Sequence, residues 1–346
     1  MTGAAAPAPR PPRVTSPAAP GSGRATPLRF GWRLPMWDAA GAPLSDWLPG
    51  VHQNLQALRG RFDSVWLSDH FIPGTGWMPP EPDTLECWTA TAAFAAAYPE
   101  YVFGQIVLGN SYRHPPLLAK MAATLQALTA GRLILGIGAG WMEREYRAYG
   151  YPFPPAAVRL QELGEAVQIL RLMWTTSPAS FSGRHYTVTE AYCRPLPAPP
   201  PPILIGAAGE RLALRLVARH ADMWNLSGVS PEGFARKAAV LEEHCRAVGR
   251  DPTSILYTWQ CQAVALGDGE REAQAVAAGN AFSRQERPDG QLVGTPEQVA
   301  ARLQAYVDLG VRHFILRFLD FPRPDGALRF AAEVAPRLRL PAGDGG

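Results

Sequence analysis

The chain has 346 residues, 47% of them hydrophobic, and a formal net charge of +3. That is enough apolar content for a sizeable core, but no uninterrupted apolar run reaches the ~18 residues of a membrane span. Arg10, Arg13 and Arg24 in the first 27 residues account for the whole net charge, so the remainder is near neutral and lacks the basic footprint of a nucleic-acid binder.

Those first 27 residues are Pro, Ala, Gly and Ser with no acid and no continuous apolar core. They are not a secretory signal. They cannot bury enough surface to offset their ordering entropy, so residues 1–27 are expected to be a disordered tail. The expected folded domain is 28–338, with a flexible terminus at 339–346. The four cysteines, Cys87, Cys193, Cys245 and Cys261, show no Cys-x-x-Cys spacing, which suits a reduced, cytoplasmic protein.

From Leu28 onward, short apolar or β-branched runs alternate with longer amphipathic stretches. Strands are expected at 28–34, 64–71, 101–109, 132–139, 202–208, 222–228, 255–266 and 311–318. One intervening helix starts at Pro115 and stops before Gly131, the usual placement of those two residues. Eight strand–helix units in about 300 residues predict parallel pairing and a (β/α)8 TIM barrel. Two connections exceed a plain barrel. Residues 143–158 separate the fourth strand from its helix. Residues 176–201, before the fifth strand, hold "SFSGRHYTV", read as a strand and a turn, and then the stiff "RPLPAPPPP". The first insertion lies on the catalytic, C-terminal face. The second is rooted on the opposite face and would have to fold back to reach it.

The fourth strand ends in "GIGAGW", with Gly136, Gly138 and Gly140 alternating. A dinucleotide fingerprint fails on spacing. Its third glycine would be Trp141 counted from Gly136, or Glu143 counted from Gly138. The fifth strand ends in "IGAAGE", and in a barrel these two ends are neighbours. Such glycines can aim main-chain N–H groups at a phosphate, helped by a helix starting near Glu210, or they can simply let strands pack.

"VWLSDHF" closes the second strand with Asp69 and His70. At a barrel strand's end such a histidine can move a proton near neutral pH, or it can be a structural histidine held by the aspartate. After the third strand come Asn110, Ser111 and Arg113, candidates for a polar cofactor, with Arg113 the best anion partner. The seven histidines form no zinc-type motif, so no metal is expected. Trp32, Trp37, Phe71, Trp77, Trp141, Trp224 and Trp259 crowd the same rim and suggest a roomy apolar pocket.

Over residues 28–320 the sequence resembles the bacterial luciferase-like superfamily, and more specifically its oxidoreductases that use coenzyme F420. The matching stretches include "SDHF", "YRHPPLLAKMAATLQALTAGRLILGIGAGWMEREYRAYG", "PILIGAAGERLALRLVARHADMWN" and "VGTPEQVAARLQAYVDLGVRHFILRF". The resemblance implies a barrel with the cofactor ring over the strand ends. It implies a non-prolyl cis peptide at Ile106–Val107 behind the ring, and Asp69 and His70 beside it. Gly109, Gly138, Ala139, Gly140, Trp141, Gly206, Ala207, Ala208 and Gly209 would contact the cofactor, with Asn110 and Arg113 nearby. His70 would assist proton movement during hydride transfer. A homodimer acting on a small molecule is also implied.

The sequence departs from the sugar-phosphate dehydrogenase branch. A glutamate after the fourth-strand glycines is here Trp141, a first-strand glutamate falls near Trp37, and a tryptophan after "SDHF" falls at Gly74. A hydrophobic carbonyl or alkene substrate is therefore expected. The alternative within the same frame is a two-component FMN-dependent monooxygenase.

Overall fold

A computed structural model of the chain describes residues 26–75, 77–285 and 288–341. The expected tail, apart from its last two residues, and the terminus from 342 on lie outside the described residues.

All eight expected strands form. They are β1 (Arg29–Arg33), β2 (Ser64–Leu67), β3 (Val102–Gln105) running on into β4 (Leu108–Gly109), β5 (Leu133–Gly138), β8 (Ile203–Gly206), β9 (Met223–Ser227), β10 (Leu256–Leu266) and β12 (Val311–Phe318). Every neighbouring pair is parallel, and β12 returns to β1 to close the barrel. A short strand missed by the sequence reading, β11 (Gln291–Gly294), pairs with the far half of β10.

Each barrel strand alternates its side chains between the lumen and the helices. One buried cluster takes a residue from each of seven strands: Trp66, Val102, Ile134, Leu204, Met223, Leu256 and Ile315. Side chains from so many strands meet only inside the barrel. Trp66 is the largest of them. It fits because its neighbours Gly31 and Gly104 lack side chains: a Cβ on either would lie 2.4 or 2.5 Å from the indole. The indole N–H donates to Ser64 Oγ at 2.8 Å, and Ser64 Oγ lies 2.8 Å from Nε2 of buried His313. The larger cluster, with Trp32, Trp224 and Trp259, fills the shell between strands and helices. Those three tryptophans are therefore core, not rim.

Helix α3 (Pro115–Leu128) has Pro in its first turn, and Gly131 follows at φ +90. Helix α10 (Pro296–Asp308) opens with a reciprocal cap between Thr295 and Gln298. Past Leu338 the chain still makes contacts: Arg339 N–H donates to Gln304 Oε1 at 2.9 Å and Leu340 packs on the core. All four cysteines are free and buried. Among the described residues no helix is long and apolar enough to cross a membrane.

The first insertion carries α4 (Glu143–Ala148) ahead of α5 (Ala156–Thr175). The second forms an antiparallel hairpin, β6 (Ala179–Ser182) and β7 (Thr187–Ala191). Glu165 on α5 pins its turn by accepting the N–H groups of Arg184, His185 and Tyr186 at 2.8, 2.9 and 3.0 Å. The hairpin does fold back: Asn110, just past β4, donates its side-chain amide to Tyr186 Oη at 3.2 Å.

Candidate active site

The peptide between Ile106 and Val107 is cis. It separates β3 from β4 and turns Val107 toward the ends of β5 and β8. This contact explains most of the glycines. A Cβ on Gly136 would lie 1.8 Å from the Gln105 carbonyl oxygen, and one on Gly138 or Gly206 would lie 2.8 or 3.2 Å from the Val107 methyls. These glycines make room for the chain next door. Gly140 is different, because its φ of +75 is one that L side chains rarely adopt and a Cβ there would strike Tyr146 Oη.

Above Val107 lies a pocket of about 260 Å³ lined by Ile106, Val107, Gly206, Ala207, Ala208, Asn225, Leu226, Ser227 and Gln260. Five of the nine were expected from sequence. Asn225, Ser227 and Gln260 were missed, although Asn225 and Ser227 end a barrel strand in "DMWNLSG", the usual place for such residues. Thr258 Oγ1 lies 2.9 Å from Asn225 Oδ1 and 3.0 Å from Trp224 O, and Asn225 Nδ2 donates to Gln260 Oε1 at 3.4 Å. The Trp224 indole braces the lip by donating to Ala207 O at 2.9 Å. The expected phosphate cradle is only partly open, since the Ala207 N–H already donates to Asn225 O at 3.2 Å. Helix α6 (Ala213–His220) starts after a turn at 210–212, so its dipole begins further along than expected. At Gly209 a Cβ would make ordinary contact with Ala213 at 3.6 Å.

Asp69 and Arg113 hold each other. Arg113 makes two bonds to the Asp69 carboxylate, at 2.8 and 2.9 Å, and a third to Glu86. The Gly109 N–H also donates to Asp69, at 2.9 Å. The Asp69 carboxylate is 1% exposed and the Arg113 side chain 10%. Arg113 is thus not an open anion partner, and Asp69 does not hold His70. The pair instead clamps the loop after β2 to the end of β4 and the turn that follows it. Asn110 is buried, with its side-chain oxygen lacking a partner among the described residues.

His70 is held by a residue the sequence reading missed. Its Nδ1 lies 2.9 Å from Oε2 of Glu145 on α4. The Glu145 side chain is completely buried. It also accepts from Phe71 N–H at 2.6 Å, Ile72 N–H at 3.3 Å and Tyr112 Oη at 2.9 Å. Burial by itself raises a carboxyl's pKa, but the donors, led by His70, outweigh it and hold Glu145 below its ordinary value. Burial, and then the Glu145 charge, push the Tyr112 phenol far up, so it stays a donor. The carboxylate accepts at Nδ1, which favours a proton on that nitrogen and leaves Nε2 outside the contact.

The three positions that departed from the sugar-phosphate pattern all meet at this ring. Trp37 lies edge-on at 6.2 Å and Trp141 at 5.8 Å between centroids. A Cβ on Gly74 would fall 2.2 Å from the imidazole. Trp141 is 60% exposed and forms an outer wall, with Ala139 partly buried behind it.

The family model for luciferase-like monooxygenases matches residues 53–291. The chain belongs to the luciferase-like monooxygenase family. Among relatives of this family, an F420-dependent glucose-6-phosphate dehydrogenase from Microbacterium testaceum (strain StLB037) is 28% identical over 342 residues, covering 90% of this chain and 98% of that one. An F420-dependent hydroxymycolic acid dehydrogenase from Mycobacterium tuberculosis (strain ATCC 25618 / H37Rv) is 32% identical over 215 residues, 62% of this chain and 58% of that one. A solved F420-dependent secondary alcohol dehydrogenase, in complex with an F420–acetone adduct, superposes with a TM-score of 0.77 at 20% identity, over 90% of this chain and 99% of that one. That likeness shows that the barrel fold is shared.

Proposed function

We propose that this family member is an F420-dependent oxidoreductase that transfers hydride between the deazaflavin and an apolar carbonyl or alcohol substrate. The observation that carries the reading is His70, fixed at Nδ1 by a buried carboxylate, at the same end of the barrel as the shelf made by Ile106–Val107, Gly138 and Gly206. The relatives' F420 dependence supports it.

The pocket suits a flat heterocycle. Its floor is aliphatic, its glycines keep bulk away, and its polar lining is Asn225, Ser227 and Gln260, all uncharged. Gly206, Ala207 and Ala208 would carry main-chain contacts, and the Asn225 and Gln260 amides would meet the ring's polar edge. When bound, the deazaflavin supplies two-electron hydride chemistry. In the alcohol-to-carbonyl direction the hydroxyl proton passes to His70 Nε2, while Glu145 balances the imidazolium. In the reverse direction Nε2 returns it. Trp37 and Trp141 screen that proton transfer from water.

The substrate class rests on those same rings. Aromatic walls stand around His70 where the sugar-phosphate branch has acids, and aromatic faces bind apolar carbon better than a phosphorylated sugar. The family resemblance also implies a homodimer, which sedimentation of the purified protein tests, and the scattered unpaired cysteines support a cytoplasmic location.

The deciding experiment titrates the apo-protein with F420 and with FMN, followed by ring fluorescence. Tighter binding of F420, and its reduction by a hydrophobic secondary alcohol but not by glucose 6-phosphate, is the expected result. Preference for FMN, with oxygen consumed when reduced FMN is supplied, would replace this reading with a monooxygenase.

A further inference from the structure

Two buried arginines stand at the barrel mouth on the side away from the pocket. The pocket is built on the third, fifth, sixth and seventh barrel strands. His70 follows the second. The first and eighth, β1 and β12, carry Arg33 and Arg317 at their C-terminal ends. Gly31 and Ile315 are paired across these two strands, and both face the interior with Trp66. Side chains alternate along a strand, so Arg33 and Arg317, two positions on, share that face one layer nearer the mouth. Neighbouring strands are about 5 Å apart, which sets the two arginines side by side. They are 6% and 4% exposed.

Arg317 is held by stacking. Its Cζ lies 3.9 Å from the ring centroid of Phe282 on α9 (Ala281–Gln285) and 5.7 Å from that of Trp37. Trp37 is also the indole edge-on to His70, so the arginine and the imidazole border one chamber. Stacking engages the face of a guanidinium and leaves its edge, where all five N–H groups lie. Each arginine can therefore keep bonds within the chain and still offer a fork to a ligand.

Two more buried donors belong to this chamber. They are Trp37 Nε1 and Ser68 Oγ, the latter two positions past Trp66, and neither has a hydrogen-bond partner among the described residues. An indole N–H can only donate. The nearby carboxylates are turned elsewhere, Asp69 to Arg113 and Glu145 to His70. Like charges directly opposite one another on adjacent strands are destabilising, and an anion between them reverses the sign of that interaction.

We propose that Arg33 and Arg317, with Trp37 Nε1 and Ser68 Oγ, form a carboxylate subsite, and that the substrate is an apolar hydroxy acid or the matching oxo acid. The subsite rests on the hydride-transfer reading above and narrows its substrate class. The apolar body lies against the aromatic walls, the oxygenated carbon beside His70 and the carboxylate on the arginine fork. Planar, two-pronged recognition of a carboxylate is a property of arginine that lysine lacks.

The test uses the protein loaded with F420 and three probes: a medium-chain secondary hydroxy acid, its methyl ester, and a phosphate monoester of the same carbon chain. Methylation removes the charge and keeps the body. The wild type is expected to turn over the acid with a kcat/KM about tenfold to a hundredfold above that of the ester, the range for hydrogen bonds to a charged group. Arg317→Lys keeps a charge but loses the fork, and is expected to narrow that preference about tenfold, mainly through KM. Calorimetry with the oxo acid and its ester, neither of which reacts with the oxidised coenzyme, reads the same preference without turnover. If the variant's melting temperature shows that it does not fold, the wild-type comparison decides. Equal kcat/KM for acid and ester in the wild type overturns the subsite, and so does an undiminished preference in a folded Arg317→Lys. A phosphate monoester preferred over the acid overturns the assignment to a carboxylate. Titration with F420 alone separates the two readings. If F420 binds and the acid is not preferred, only the subsite falls. If F420 does not bind, the F420 reading falls, and calorimetry of the apo-protein with acid and ester then decides the subsite by itself.

Discussion

His70 and Glu145 lie 75 residues apart in sequence and 2.9 Å apart in space, Nδ1 to Oε2. The carboxylate is sealed from solvent and carries four donors. It holds the imidazole at Nδ1 and leaves Nε2 outside that contact.

His70→Ala is expected to lower kcat by about 100-fold, the lower range for loss of a general acid or base. Glu145→Gln keeps the size but removes the charge that favours His70 with Nδ1–H. It should lower kcat by about tenfold or more and move the pH–rate profile, while the dissociation constant for the cofactor stays within about twofold. An unchanged pH profile in Glu145→Gln would reduce the residue to packing.

The Val107 shelf makes a steric prediction. Gly138→Ala places a methyl against a stiff branched side chain at 2.8 Å. Overpacking of this kind costs about 1–3 kcal/mol. Val107→Ala removes the opposing methyls, so G138A/V107A should recover much of the melting temperature lost by G138A. Simple additivity in that cycle would mean that the two residues do not contend for the same space.

The Asp69–Arg113 pair predicts asymmetry between single and double variants. Arg113→Met leaves a carboxylate that is 1% exposed without its partner, and breaking such a pair costs about 3–5 kcal/mol. D69L/R113M, with neither charge, should be more stable than R113M alone. Chemical denaturation of the wild type, D69L, R113M and the double variant decides it. A double variant as unstable as the sum of the singles would show that the pair's charges are not coupled.

His313 predicts an acid-sensitive barrel. Its burial pushes its pKa down to about 3 from an ordinary 6.5. The unfolded chain therefore takes up a proton that the folded protein refuses. The associated stability is complete above about pH 6.5 and is lost as the pH falls from there toward 3, with a slope approaching ~1.4 kcal/mol per pH unit. His313→Asn should flatten the dependence between pH 6 and 4. Equal slopes in the two proteins would assign the acid sensitivity to other groups.

The sequence by itself determined the barrel. Strand and helix periodicities are local properties, and eight alternations admit few closures, so all eight strands appeared where the apolar runs placed them. Strand order also placed Gly206–Ala208 on the barrel's C-terminal face, and the family resemblance supplied Ile106–Val107. What each residue does there was decided by tertiary structure. Gly138 and Gly206 read as part of a phosphate cradle, with packing as the alternative, until Val107 was found against them. Arg113 read as an anion partner until Asp69 was found across its guanidinium. Glu145 was one of three glutamates close together in "WMEREYRAYGYPFPPAAVRLQE", and nothing local distinguished it from Glu143 or Glu162. Only the fold carried it into the interior against His70. Hydrogen bonds and burial between residues distant along the chain have no signature in sequence spacing, and those contacts assign the chemistry of the site.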